Sequence, residues 1–233
     1  MRNLVDQTVK RFGRLDIAVN NAATEGLRGQ LTWMPEALQI LHDELPNSDV
    51  MISSQYSPQL ANALLNGIVD AAFLRQEQAV PDLVFHLLVK EPLVVILLSN
   101  HRLAALKAIG PGDLVGETFV SVSDTAPVLR AVIDDYLKRS GINITPDHEA
   151  DHLAMGMSLI ASTRGVGLLP AYAQNFLPSS VTSRPLKGNR PTMDLVLGYK
   201  KSNDSPILKL LLSRLDELVA RVSKRPAKTR NAS

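Results

Sequence analysis

Short apolar runs of five to eight residues alternate with helix-patterned segments along nearly the whole chain. No other feature restricts the fold as much. "SDVMISS", "DAAFL", "LVFHLLV", "LVVILL", "ETFVSVS", "VGLLP", "VTSRPL" and "TMDLVLGY" read as strands, with "LVFHLLV" and "LVVILL" separated by Lys90, Glu91 and Pro92. Between them, "PEALQILHDEL" (35–45) puts Pro35 at a first helical position and spaces Leu38, Leu41 and Leu45 along one face. "SPQLANALLNG" (57–67) has Ser57 as N-cap, Pro58 next and Gly67 as its stop. "APVLRAVIDDYLKRSG" (126–141) closes at Gly141, "DHLAMGMSLIAST" is a further helix, and "SPILKLLLSRLDELVARV" reads as one long amphipathic helix near the end. Strands that take turns with helices imply βα units and a largely parallel sheet, hence an α/β fold.

Composition narrows the class. Apolar residues make up 45% of the 233, enough to bury a sizeable core. Cysteine is absent, which excludes disulfides, thiolate metal sites and a thiol nucleophile, and suits a reducing cytoplasm. Asp6, Lys10, Arg11 and Arg14 interrupt any signal-peptide pattern, and the longest apolar run is far shorter than a membrane span. Net charge is +2, but the last thirteen residues, "RVSKRPAKTRNAS", hold five cations and no acid, leaving 20 basic against 23 acidic side chains elsewhere. Residues 223–233 are therefore expected to be a solvated, disordered basic tail, and the body has no face suited to nucleic acid.

Four motifs then occur in order: "LPNSDV" (45–50), "LLNGIVDAAFLR" (64–75), "LVKEPLVVILLSNHRLA" (88–104) and "LIASTRGVGLLPAYA" (159–173). Together, over residues 35–220, they resemble the effector-binding domain of LysR-type transcriptional regulators. The resemblance implies a two-lobed periplasmic-binding-protein-like fold, two Rossmann-like subdomains joined by two crossover strands near Glu91 and Pro191. Residues 1–91 with 192–222 would form lobe I and residues 92–191 lobe II. A small organic acid, such as an aromatic-degradation intermediate, would bind in the inter-lobe cleft of a homodimer or tetramer. The DNA-binding helix–turn–helix of such regulators has no counterpart in the first thirty residues, so this chain is not expected to bind DNA itself.

"GRLDIAVNNAATEG" (13–26) resembles something else, the "NNAG" segment of short-chain dehydrogenases. That chemistry needs a Gly-rich turn well upstream for the dinucleotide phosphates, yet only nineteen residues precede Asn20. It also needs Tyr with Lys four residues on. Here Tyr56, Tyr136, Tyr172 and Tyr199 are followed at that offset by Leu60, Ser140, Phe176 and Asn203. No cofactor is implied, and no enzyme. "LDIAV" is instead the only candidate for a first strand of lobe I. It stands farther from Pro35 than the family's pattern would place it, so residues 1–30 read as an atypical, foreign or rearranged segment.

Arg75 ends a buried strand at the sheet's C-terminal edge, where open α/β folds bind ligands, and guanidinium pairs bidentately with carboxylate. Ser57, at a helix start, adds a hydroxyl and free amides for the same anion. The resemblance gives both positions to the effector. Ser121, Ser123 and Thr125 in "SVSDTAP" are the corresponding candidates of lobe II, and Asn20, Asn21 and Thr24 would join if "LDIAV" is the first strand. His148 and His152 in "HEADH" lack an evident third ligand and read as solvated loop residues, so no metal is expected. Met155, Met157, Leu159 and Ile160 read as core. Leu129, Val132, Ile133 and Tyr136 could serve either a dimer contact or the core. The expected protein is thus the ligand-sensing domain of a LysR-type regulator. A free solute-binding protein of the same fold and a remnant of an NAD(P)-dependent reductase are the alternatives.

Overall fold

The computed structural model describes residues 17–21, 27–46, 50–75 and 80–223. Thr24 and the basic tail beyond Ser223 lie outside them. The chain divides into two compact units: the first holds residues 29–88 and 196–223 with the first strand, the second residues 89–195.

In the first unit, β1 (Ile17–Asn21) pairs in parallel with both β2 (Val50–Ser54) and β3 (Ala71–Arg75). The segment that resembles a dehydrogenase fragment is therefore a strand of this sheet, which continues past β3 to β9 (Thr192–Lys200). Helix α1 (Leu27–Glu44) begins eight residues before Pro35, which sits inside it, contrary to the expected start. A proline removes one helical hydrogen bond, but the helix buries Trp33, Met34, Ala37, Ile40 and Leu41 on one face, and that burial outweighs the loss. Helix α2 (Ser57–Leu65) stops where Gly67 turns to φ +64°, as the sequence suggests. Leu60 and Leu64 of α2 pack with Ala72 and Leu74 of β3, with Leu83 and with Val196.

The "LVFHLLV" and "LVVILL" runs are one strand, β4 (Leu83–Leu98), not two. Pro92 does not interrupt it, because a residue before proline is held extended, which a strand requires anyway. The boundary between the units falls inside β4 and again inside β9, so each strand belongs to both.

In the second unit β4 pairs antiparallel with β7 (Val166–Pro170) and β8 (Val181–Pro185), whereas β5 (Val120–Val122) and β6 (His148–Ala150) pair in parallel. The sheet is therefore less uniformly parallel than expected. Helices α3 (Pro127–Arg139) and α4 (Leu153–Thr163) cover a core built from Leu93–Leu98, Phe119, Ile133, Ile160 and Val166. Gly165 and Gly167 bring β7 close to β5: a Cβ would stand 2.7 Å from the Thr118 carbonyl oxygen at the first and 2.8 Å from that of Val120 at the second. The terminal helix expected as one is two, α5 (Pro206–Ser213) and α6 (Leu215–Ser223), parted at Arg214, which forms an ion pair with Glu44.

Candidate functional site

Ser57 opens α2 and Arg75 closes β3, and the fold brings the two together. The backbone N–H of Arg75 donates to Ser57 Oγ at 3.0 Å, and the residues are 1% and 3% exposed. Ser57 is not the N-cap the sequence suggested. Tyr56 takes that place with extended backbone (φ −70°, ψ 156°), and no side chain caps the helix. Ser57 already has helical backbone, and its hydroxyl accepts from the strand end. Both residues lie at the C-terminal edge of the parallel strands. Asn20 and Asn21 reach the same edge in β1, where Asn21 is in register with Ser54 and Phe73, although their side chains fall outside the description, as does Thr24 altogether. A buried hydroxyl, a buried arginine and a helix N-terminus at one edge form a setting for an anion, because each favours negative charge.

The second unit's candidates part company. Ser123 Oγ and Thr125 Oγ1 bond to each other at 2.8 Å, and Thr125 Oγ1 donates to the Asp151 carbonyl at 3.1 Å. These two hydroxyls fasten their loop to the end of β6. Ser121 is 3% exposed within β5, and its Oγ has no hydrogen-bond partner. It lines a pocket of about 460 Å³, counted out to its open mouth. Asp151, His152 and Tyr172 also line that pocket, and sequence reasoning did not single them out for it. Their only shared signal is placement after β6 and β7.

His148 lies in β6 rather than in a loop. His152 is the N-cap of α4, its Nδ1 accepting from the Met155 N–H at 3.2 Å. Among the described residues no group of three or more His, Cys, Asp and Glu side chains could hold a metal. In the "NHRLA" motif, His101 Nδ1 accepts from the Leu103 N–H at 3.2 Å, leaving Nε2 to face Glu117 Oε2 at 3.1 Å, and Arg102 also pairs with Glu117. The motif fastens a turn. Met157 and Ile160 are core, but Met155 is 40% exposed, because it lies on the solvent side of α4. Leu129, Ile133 and Tyr136 are buried in the unit's own core.

Two groups titrate away from their ordinary values. Arg130 donates to Glu149 Oε1 at 2.7 Å and to the Val122 carbonyl at 2.8 Å, joining α3 to β5 and β6, and its pKa is raised chiefly by the Glu149 bond. Burial raises the Tyr136 phenol, and nearby Ser140 pulls weakly the other way. Among the described residues no helix is long and apolar enough to cross a membrane.

The family model for the LysR substrate binding domain matches residues 12–220, a span that includes β1. The Hca operon transcriptional activator HcaR of Escherichia coli (strain K12) is 28% identical over 199 residues, covering 83% of this chain and 66% of HcaR. The regulator BenM of Acinetobacter baylyi (strain ATCC 33305 / BD413 / ADP1) is 22% identical over 221 residues, covering 93% of the chain and 72% of BenM. The chain thus spans just under two thirds of the length of the first of these relatives. Among solved structures, the BenM effector binding domain with its effector benzoate superposes with a TM-score of 0.76 at 18% identity, covering 93% of this chain and 98% of that one. The effector binding domain of QuiR in complex with shikimate gives 0.72 at 21% identity, covering 90% and 97%. The fold expected from the sequence, the two-lobed α/β fold of periplasmic-binding-protein type, is the fold these domains share. The matches offer no support for the dehydrogenase resemblance at residues 13–26.

Proposed function

The chain belongs to the LysR substrate binding domain family, and from that premise we propose that it senses a small organic acid whose carboxylate is held by Arg75 and Ser57. Effector-binding domains of this family are not enzymes. The observation that carries the reading is the 3.0 Å bond between the Arg75 amide and Ser57 Oγ, which ties a buried arginine to a helix N-terminus at a strand edge. A planar guanidinium pairs bidentately with a carboxylate, and a buried setting strengthens that pairing. The charged groups benzoate and shikimate, bound by BenM and QuiR, are carboxylates. Ser121, Ser123, Thr125, Asn20, Asn21 and Thr24 belong to the same proposal as further effector contacts, Ser123 and Thr125 by way of the loop that their mutual bond holds.

Binding acts by population shift. An acid that prefers one conformational state tenfold moves that equilibrium by about 1.4 kcal/mol, and no further. In longer relatives the change would pass through a homodimer or tetramer to paired helix–turn–helix heads in the cytoplasm. Pro35, Leu38 and Leu45 leave apolar surface on and after α1 that suits such a contact.

A thermal-shift screen of benzoate, hydroxybenzoates, muconate and shikimate against wild type and Arg75→Ala tests the proposal. At least one acid should raise the melting temperature of wild type, and Arg75→Ala should lose that rise. An acid that stabilises both proteins equally would place its carboxylate elsewhere.

A further inference from the structure

Asn66 is followed by Gly67, and no other asparagine in the chain precedes a glycine. An asparagine side-chain amide can be attacked by the next backbone nitrogen, and glycine has no Cβ to block the approach. We infer that Asn66 is a site of spontaneous deamidation, and that the C-terminal turn of α2 is the gate that holds the reaction back.

The sequence supplies the reactants, and the fold engages both of them. Asn66 is exposed and is the C-cap of α2, with φ −83° and ψ 0°, and Gly67 follows at φ +64°. The Gly67 N–H donates to the Leu64 carbonyl at 3.1 Å and the Ile68 N–H to that of Ala63 at 2.9 Å. These are the paired bonds of a Schellman turn, and they tie up the nitrogen that would attack. The carboxamide is held too, its Nδ2 donating to the Asn62 carbonyl at 2.8 Å. Reaction needs the Gly67 N–H released, so it waits on local opening of the turn, which helix ends undergo far more often than global unfolding.

The chemistry needs no co-reactant but water. The Gly67 nitrogen gives up its proton and bonds to Asn66 Cγ, while the Cγ–Nδ2 bond breaks and that nitrogen leaves as ammonia. Water then opens the cyclic imide at either carbonyl. One product is aspartate. The other is isoaspartate, in which the main chain runs through the former side chain and gains a carbon. That extra atom puts the Gly67 and Ile68 N–H groups out of register with their carbonyls. The new carboxylate also stands at the negative end of α2. Lys200, whose Nζ donates to the Leu65 carbonyl at 2.8 Å, can offset the charge but not the extra atom. An opening of this turn is thereby recorded permanently.

The test incubates the full chain in neutral buffer, either folded or unfolded in guanidinium chloride. Each asparagine is then followed by peptide mapping, with fragmentation that separates aspartate from isoaspartate. In the unfolded chain Asn66 should convert faster than every other asparagine. Gly67→Ala, measured in denaturant so that folding plays no part, should slow that conversion severalfold. In the folded chain Asn66 should convert more slowly by about tenfold or more. The slowing should be no less than the protection of the Gly67 amide in hydrogen exchange, since both reactions need that N–H freed. The inference is overturned if another asparagine leads in the unfolded chain, or if Gly67→Ala converts there as fast as wild type. It is equally overturned if folding fails to slow Asn66, or slows it by less than it protects the Gly67 amide. Failure of the acid screen leaves these outcomes untouched.

Discussion

Replacing Ser57 by alanine removes one oxygen from a residue that is 1% exposed, and the structure states what is left behind. The Arg75 amide, in a residue itself 3% exposed, loses its acceptor at 3.0 Å. A buried donor without a partner costs about 1–3 kcal/mol. For a chain of this size each kcal/mol lowers the melting temperature by about 2–4 °C. Urea unfolding should therefore show an earlier midpoint with an unchanged slope, because the exposed area on unfolding stays the same. A lost helix cap would cost a similar amount, so stability alone does not identify the cause. Hydrogen exchange does. Loss of the cross-element bond should deprotect the Arg75 amide at the end of β3, whereas loss of a cap would deprotect the first turn of α2. An unchanged midpoint together with full protection at Arg75 would refute the claim that this hydroxyl holds the strand end.

Other variants separate further causes. Tyr136 is buried, and its pKa is raised by that burial, so the folded state resists ionising it. Its contribution is complete below the unfolded value of about 10 and is lost as pH climbs beyond it. Tyr136→Phe should flatten the stability curve above pH 10 and change little at pH 7, as read by denaturant unfolding across pH. Arg184 donates to the carbonyls of Ala104 at 2.6 Å, Leu106 at 3.0 Å and Ser183 at 2.7 Å. Arg184→Met, which keeps an apolar stem, should lose about 2–3 kcal/mol by stranding those oxygens, visible as a lowered unfolding midpoint. Gly167→Ala would press a Cβ to 2.8 Å from the Val120 carbonyl oxygen and should destabilise by about 1–3 kcal/mol. Gly156→Ala, with open space and a helical setting, should instead stabilise by about 0.5–1 kcal/mol. Thermal melts of the two variants side by side check the pair.

The alternation of strands and helices was legible because period and punctuation are local properties, and the Gly67 stop is one instance. Where the sequence misled, a long-range contact overrode a local signal. Pro35 looks like a helix start, but core burial of Trp33 and Met34 carries the helix back through it. Pro92 looks like a break, but a strand tolerates the extended backbone that proline imposes on Glu91. No Gly or Pro announces the parting of α5 and α6 at Arg214, whose partner Glu44 lies far away in sequence. At the site, the residue types and edge positions of Ser57 and Arg75 were readable. Their mutual hydrogen bond, across eighteen residues, was not. Nor could any pattern reveal that Ser123 and Thr125 bond inward while Ser121 is left unpaired.

The most direct measurement follows the arginine side chain itself. In a ¹H–¹⁵N spectrum of the arginine Nε–H groups, with the Arg75 signal assigned by its loss in Arg75→Lys, the chain is titrated with the acid that stabilises it most in the thermal screen. A carboxylate held by this guanidinium should move the Arg75 resonance saturably, at the same concentration that produces the thermal shift. Saturable binding of the acid with the Arg75 resonance unmoved would contradict the account.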